Sequence, residues 1–168
     1  HSTGNILIST MPWADPAREP AMGLYLISKN GGTRKISNNF FEVYSGFSSD
    51  QFLGSSNDQT FSISLSGTEV LIGPSSIGNN PSISPDKQWL FLFEDNQTVT
   101  LYSNQLERIN SWIFNSPIYN VIWRPDSTGV FLSSDGVLYY LQLPAGQPII
   151  AYDCSTPQPC ANSSTWLP

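Results

Sequence analysis

An order of residues that recurs down the chain constrains this fold more than any bulk property does. Ile83-Ser84-Pro85-Asp86 is followed by the apolar run Trp89-Leu90-Phe91-Leu92-Phe93, then by Gln97-Thr98-Val99-Thr100-Leu101-Tyr102. Trp123-Arg124-Pro125-Asp126 leads in the same way to Val130-Phe131-Leu132 and to Val137-Leu138-Tyr139-Tyr140-Leu141. A weaker copy runs Phe47-Ser48-Ser49-Asp50, Gln51-Phe52-Leu53 and Thr60-Phe61-Ser62-Ile63. A fourth, lacking its first part, runs Asn5-Ile6-Leu7-Ile8 and Leu24-Tyr25-Leu26-Ile27. Aligned on these third segments, Gly23, Gln59, Gln97 and Gly136 fall in register at spacings of 36, 38 and 39. Each unit closes on a short segment near Ile36, Val70, Ile109 or Ile149.

A unit of about 40 residues holding four short strands is the pattern of a propeller blade. Asn57-Asp58, Asp95-Asn96 and Asp135-Gly136 stand where two-residue hairpins need positive φ, and Gly31-Gly32 marks a further turn. Trp89–Phe93 is apolar at every position, whereas a strand with one wet face alternates, so this strand is covered on both sides. One sheet cannot cover itself twice; stacked neighbours can. The spacing therefore predicts an all-β propeller of four four-stranded blades, over approximately 1–39, 40–75, 76–115 and 116–168. The expected core is Leu7, Leu26, Leu53, Ile63, Leu90, Leu92, Leu101, Trp123, Phe131 and Leu138. Trp89, Trp123 and Trp166 fall on repeat positions and read as core.

Ser84-Pro85-Asp86 and Arg124-Pro125-Asp126 resemble the turn that precedes the apolar strand in the TolB-type, WD-repeat-like propeller family. Ser48-Ser49-Asp50 lacks the proline, and Lys87 and Ser127 stand where that family often has glycine. The resemblance implies a propeller fold and says little about activity, since propellers carry many unrelated roles. Thr165-Trp166-Leu167-Pro168 matches Ile122-Trp123-Arg124-Pro125, and His1-Ser2-Thr3-Gly4 matches Asp126-Ser127-Thr128-Gly129. A whole number of repeats is therefore expected, either closing as a four-bladed ring or forming part of a larger propeller.

Charge narrows the partners. Seven Lys and Arg against thirteen Asp and Glu give a net charge of −6, which offers no footprint for a phosphate backbone or an anionic membrane surface. No apolar run exceeds about five residues, too short for a transmembrane helix. Catalytic constellations are also missing. Gly46-Phe47-Ser48-Ser49-Asp50 is not a nucleophile elbow, and the single histidine, His1, leaves a serine triad without a credible base. Glu94-Asp95-Asn96 lacks the alternating oxygen ligands of a calcium loop. Asp50, Asp86 and Asp126 are expected to accept backbone N–H bonds within their own turns. The chain reads as no enzyme, with no cofactor and no metal.

Function in a repeat fold is expected where the repeat is broken. The connection from Thr10 to Met22 is far longer than its counterparts and carries Trp13, Asp15, Arg18 and Glu19 among three prolines. The Tyr152–Ser164 connection holds Cys154 and Cys160, read as a local disulfide. In a propeller both connections emerge on one face. With 25 Ser, 13 Asn and few Lys, the composition suggests an extracytoplasmic setting: secreted, periplasmic or cell-surface. The expected function is a non-catalytic scaffold binding a protein or peptide on that face. The alternative is a gating propeller attached to a hydrolase domain outside these residues.

Overall fold

The computed structural model describes residues 6–10, 22–39, 41–44, 46–48, 50–75 and 80–153. Fifteen strands form among them: β1 (Ile6–Thr10), β2 (Gly23–Ile27), β3 (Thr33–Ser37), β4 (Glu42–Tyr44), β5 (Gln51–Ser56), β6 (Gln59–Ser64), β7 (Glu69–Pro74), β8 (Ser82–Ile83), β9 (Trp89–Phe93), β10 (Thr98–Ser103), β11 (Arg108–Ile113), β12 (Asn120–Trp123), β13 (Gly129–Ser133), β14 (Val137–Gln142) and β15 (Ile149–Asp153). Pairing follows chain order throughout: β1-β2-β3, β4-β5-β6-β7, β8-β9-β10-β11 and β12-β13-β14-β15, all antiparallel. Three sheets have four strands, and the first has three among the described residues, as the shortened first repeat implies. All are meanders, and short connections join the strands within sheets 2, 3 and 4, the least costly way to pair them.

Each sheet uses its pleat to serve two neighbours. On sheet 3, Leu90 and Leu92 point back and pack with Leu53 of sheet 2. Phe91, Phe93, Val99 and Leu101 point forward and pack with Val130, Leu132 and Leu141 of sheet 4. A third apolar layer joins Leu24 and Ile36 of sheet 1 to Phe52 and Ile63 of sheet 2. The unbroken apolar run of β9 is thus accounted for, with four of its five side chains buried. Side chains of this size each contribute roughly 1.5–3 kcal/mol on full burial.

The stack is open among the described residues: no apolar layer joins sheet 4 to sheet 1. Five of the ten expected core residues are consequently only half-buried: Leu7, Leu26, Trp123, Phe131 and Leu138. Phe131 and Leu138 point forward from sheet 4, away from sheet 3. Leu7 and Leu26 do pack on sheet 2, but from a sheet with no described strand inside β1. Trp89 and Trp123 are half-buried against the layer between sheets 3 and 4. Trp166 lies outside the described residues.

Turn chemistry agrees with the repeat in most places. Asn57 and Asp58 take φ of 50° and 58°, and Gly31 and Gly136 take 82° and 70°. Lys87 and Ser127 adopt φ of 60° and 59° in the turns where glycine would be at ease. The Asp95-Asn96 expectation is corrected, since neither residue has positive φ. There the Asp95 carboxylate accepts the Gln97 and Thr98 N–H groups at 2.7 and 2.6 Å, rounding a wider loop without a left-handed residue. Asp86 and Asp126 accept backbone N–H from Gln88 and Thr128 at 3.0 and 3.1 Å. Asp50 differs, receiving the Ser48 hydroxyl at 2.5 Å.

Polar bonds lock the layers in register. The Asp86 N–H donates to Ser127 Oγ (3.1 Å), tying the lower turns of sheets 3 and 4 together. Trp112 Nε1 donates to the Gly146 carbonyl (3.0 Å), and Arg34 Nη2 donates to the Leu65 carbonyl (2.5 Å). Gly67 has φ of 97°, and a Cβ there would collide with the Ile36 carbonyl oxygen of the neighbouring sheet.

Leu90→Ala or Leu101→Ala should cost roughly 2–5 kcal/mol in urea unfolding, because each leaves a cavity between sheets. Ile113→Ala, at a side chain 81% exposed, should cost under about 0.5 kcal/mol in the same assay. Lys87→Gly should stabilise by about 0.5–1 kcal/mol, relief of the left-handed backbone outweighing the added chain entropy. A lower melting temperature for Lys87→Gly would contradict that reading.

Candidate functional site

The two ends of the sheets differ in charge. Call the upper end the one where β4, β8 and β12 begin and where the β5–β6, β9–β10 and β13–β14 hairpins turn. Glu42, Asp58, Glu94, Asp95, Asp135 and Asp153 stand there. The described lysines and arginines sit in lower turns or on outer strands: Lys29, Arg34, Lys35, Lys87, Arg108 and Arg124. Among them Arg108 reaches the upper end, pairing with Glu94 Oε1 at 3.0 Å. The upper end is acidic.

A cleft of about 230 Å³ opens there between the first strands of sheets 3 and 4, lined by Asn80, Pro81, Ser82, Phe93, Tyr119, Asn120 and Val121. Its walls are braced. Trp123 Nε1 donates to Ser82 Oγ (2.8 Å), holding β12 to β8. Ile118 N–H donates to the Asn96 carbonyl (2.7 Å) and Phe114 N–H to the Gln97 carbonyl (3.0 Å), so the 114–119 connection rests on the β9–β10 loop. Tyr119 N–H donates to the Ser133 carbonyl at 2.9 Å.

Two tyrosines frame this region, each held by a carboxylate. Tyr119 Oη donates to Asp135 Oδ1 (2.8 Å). Tyr44 Oη lies 2.9 Å from Glu42 Oε2 and 3.0 Å from Asn80 Oδ1, its one proton serving both acceptors. The hydrogen bond to Asp135 raises the Tyr119 phenol above its ordinary value, with some desolvation adding to it. Burial raises Tyr44, and the bond to Glu42 adds to that. Both phenols stay neutral donors near neutral pH. Strand register, carried two residues back from β8, makes Glu42, Asn80 and Asn120 equivalent positions at the upper starts of successive first strands. One position of the repeat thus lines the axial side of the upper end with polar groups.

The lower turns serve structure. Burial alone would raise Asp86, but bonds from the Ser84 hydroxyl, Gln88 N–H and Ser127 hydroxyl outweigh it and lower its pKa. Gln97 N–H chiefly lowers Asp95, aided by Thr98. Arg124, then Thr128, holds Asp126 at about 2. All three folded values lie below the unfolded one, so their stabilisation is present above about pH 4 and lost as pH falls toward 2. The melting temperature should therefore drop between pH 4 and pH 2. That slope should be shallower in Asp86→Asn, Asp95→Asn, Asp126→Asn protein, by calorimetry across the range. An unchanged slope would remove these carboxylates from the acid transition.

The sequence-derived site residues Trp13, Asp15, Arg18 and Glu19, and Cys154 with Cys160, lie outside the described residues. The 11–21 connection joins the upper ends of β1 and β2, the end that bears the cleft. Tyr44, Asn80, Tyr119 and Asp135 escaped the sequence reading, which sought function only where the repeat breaks. The available signal was a polar residue at or just ahead of the start of each first strand, with Glu42, Asn80 and Asn120 spaced 38 and 40 apart. Among the described residues, no group of three or more His, Cys, Asp or Glu is arranged to hold a metal ion. No helix among them is long and apolar enough to cross a membrane.

The chain matches no protein-family model and no curated protein. Among solved structures it is similar to the β-propeller domain of Cps50 (Swd1) from Myceliophteria thermophila, with 9% identity and a TM-score of 0.53. The match covers 76% of this chain and 50% of that one, so the chain spans about half the length of that propeller domain. At this identity the likeness speaks for the fold alone. Four antiparallel sheets stacked face to face, the repeat that generates them and this likeness together show a β-propeller architecture of four blades.

Proposed function

We propose that this chain is a non-catalytic propeller that binds a basic segment of a protein partner at its upper end. The observation that carries the reading is the braced cleft beside Tyr119 and Asp135, on an end rich in carboxylates. Carboxylates accept paired N–H bonds from a guanidinium, and an exposed phenol ring offers its face to a cation. Tyr119 is 55% exposed and suits that use. Phe93, Pro81 and Val121 contribute some apolar surface to an otherwise polar lining, where the methylene stem of an arginine or lysine can rest. An acidic face also steers a basic partner in, which raises the association rate more than the final affinity.

Trp13, Asp15, Arg18 and Glu19 belong to the same proposed surface. Trp and Arg are enriched at binding hot spots, and the neighbouring prolines limit the entropy lost on docking. We place the chain in an extracytoplasmic setting, with Cys154 and Cys160 joined as a disulfide; the Ser- and Asn-rich, Lys-poor composition supports this reading. The Ser-Pro-Asp and Arg-Pro-Asp turns support the finer TolB-type affiliation.

A fluorescent peptide alternating Arg and Ala should bind the chain, weaken as salt rises, and outcompete a matched Glu/Ala peptide in anisotropy titrations. Tyr119→Ala and Asp135→Asn should each weaken binding about fivefold or more, the scale of a charge-assisted contact. Trp13→Ala with Arg18→Ala should also weaken binding of a natural partner while leaving the melting temperature nearly unchanged. Equal binding of the acidic peptide, or full affinity in both Tyr119→Ala and Asp135→Asn, would overturn the proposal.

A further inference from the structure

We infer that the upper-end cleft seats a tyrosine side chain of the partner, its phenol bonded to Asn120. The inference rests on the reading that a partner segment docks at the upper end, and it names that segment's anchor. The chain carries its own template for such a contact. Between sheets 2 and 3, Tyr44 Oη of β4 reaches Asn80 Oδ1, just ahead of β8, at 3.0 Å. The Tyr44 ring is half-buried against the layer formed by Leu53, Leu90 and Leu92.

The next junction repeats this arrangement with one part missing. Asn120 is the equivalent of Asn80. Ser82, two residues beyond Asn80, stands where β4 has Tyr44. Serine has neither the ring nor the reach. Trp123, larger than its counterpart Ile83, compensates in part and donates Nε1 to Ser82 Oγ at 2.8 Å. What remains open is the cleft of about 230 Å³, with Ser82 and Asn120 both in its lining. Among the described residues no group bonds the Asn120 amide. The vacancy therefore has the place of a tyrosine and keeps the amide that a tyrosine would meet.

The rest of the lining suits the same group. Phe93, Pro81 and Val121 offer apolar surface to a ring, while the Asn120 amide accepts and donates hydrogen bonds. No lining residue is charged near neutral pH, so a cation finds its counter-ion beyond the cleft, at Asp135. A tyrosine seated on Asn120 leaves the neighbouring basic residues of the segment to Tyr119 and Asp135. Tyrosine, with an apolar body and a polar tip, is enriched among the residues that dominate binding energy.

Anisotropy titrations of the alternating Arg/Ala peptide, carrying Ala, Phe or Tyr at one central Ala position, test this. The Tyr peptide should bind at least about tenfold more tightly than the Ala peptide. It should bind about threefold to tenfold more tightly than the Phe peptide, the scale of one hydrogen bond. In Asn120→Leu protein the Tyr and Phe peptides should bind alike. Ser82→Tyr, which copies Tyr44 into the cleft, should remove the gain from Tyr. If Ser82→Tyr loses its β-type circular dichroism, adding Trp123→Ile restores the side-chain sizes found between sheets 2 and 3. Binding of the Ala peptide with no gain from Tyr, or a gain that survives in folded Asn120→Leu and Ser82→Tyr, would overturn this inference and leave the basic-segment reading standing. Should no basic peptide bind, that reading falls, and p-cresol decides the cleft by saturation-transfer NMR. Transfer to p-cresol in the wild type and not in Ser82→Tyr would uphold the inference; no transfer in the wild type would end it.

Discussion

The contact on which everything else depends is the layer of apolar side chains between neighbouring sheets. A single meander of four short strands has two apolar faces and no means of covering either. Stacking solves this because the two-residue period of a strand sends alternate side chains to opposite neighbours. Leu90 and Leu92 serve one layer while Phe91 and Phe93 serve the next. No sheet is stable by itself, so cooperativity runs along the stack from one neighbour to the next.

Apolar layers are poor at setting register, because oil slides on oil. The polar bonds between sheets supply what the layers lack. Asp86 N–H to Ser127 Oγ, Trp112 Nε1 to the Gly146 carbonyl and Trp123 Nε1 to Ser82 Oγ all join sheet 3 to sheet 4. Each uses a donor that would otherwise lose its water partner at the junction, so misplacing the sheets carries a desolvation cost as well as lost packing. The Ser84-Pro85-Asp86 turn therefore has two tasks. It reverses the chain, and it presents an N–H to the next blade.

These constraints place the site. First strands are the shortest in their sheets, and their upper ends open toward the axis, where side chains cannot meet across a packed layer. Polar residues collect there at little cost, as Glu42, Asn80 and Asn120 do. A hairpin carboxylate then fixes Tyr119: Asp135 is placed by the tight turn ending at Gly136, and Tyr119 by its N–H bond to Ser133. An acidic, aromatic rim follows from a scaffold whose described basic groups sit in lower turns or on outer strands.

Local signals carry far along this chain. The period, the solid apolar run of β9 and the hairpin at Asn57-Asp58 each follow from short-range geometry, so four sheets and most turns were legible from residues alone. Asp95-Asn96 shows where such reasoning stops: the same residue pair can turn through a left-handed backbone or through a carboxylate capping two N–H groups, and the second is what forms. Burial divides along the same line. Leu53, Ile63, Leu90, Leu92 and Leu101 are buried as their repeat positions demand, while Phe131 and Leu138, on equally good positions, are only half-buried because no described sheet follows theirs. The cleft at Tyr119 joins residues from two connections and three strands. Sequence determined that sheets would form and stack; which faces stay open, and which polar groups converge at the axis, was decided by the order and number of sheets in the stack, because burial and proximity belong to the assembled layers and not to any one repeat.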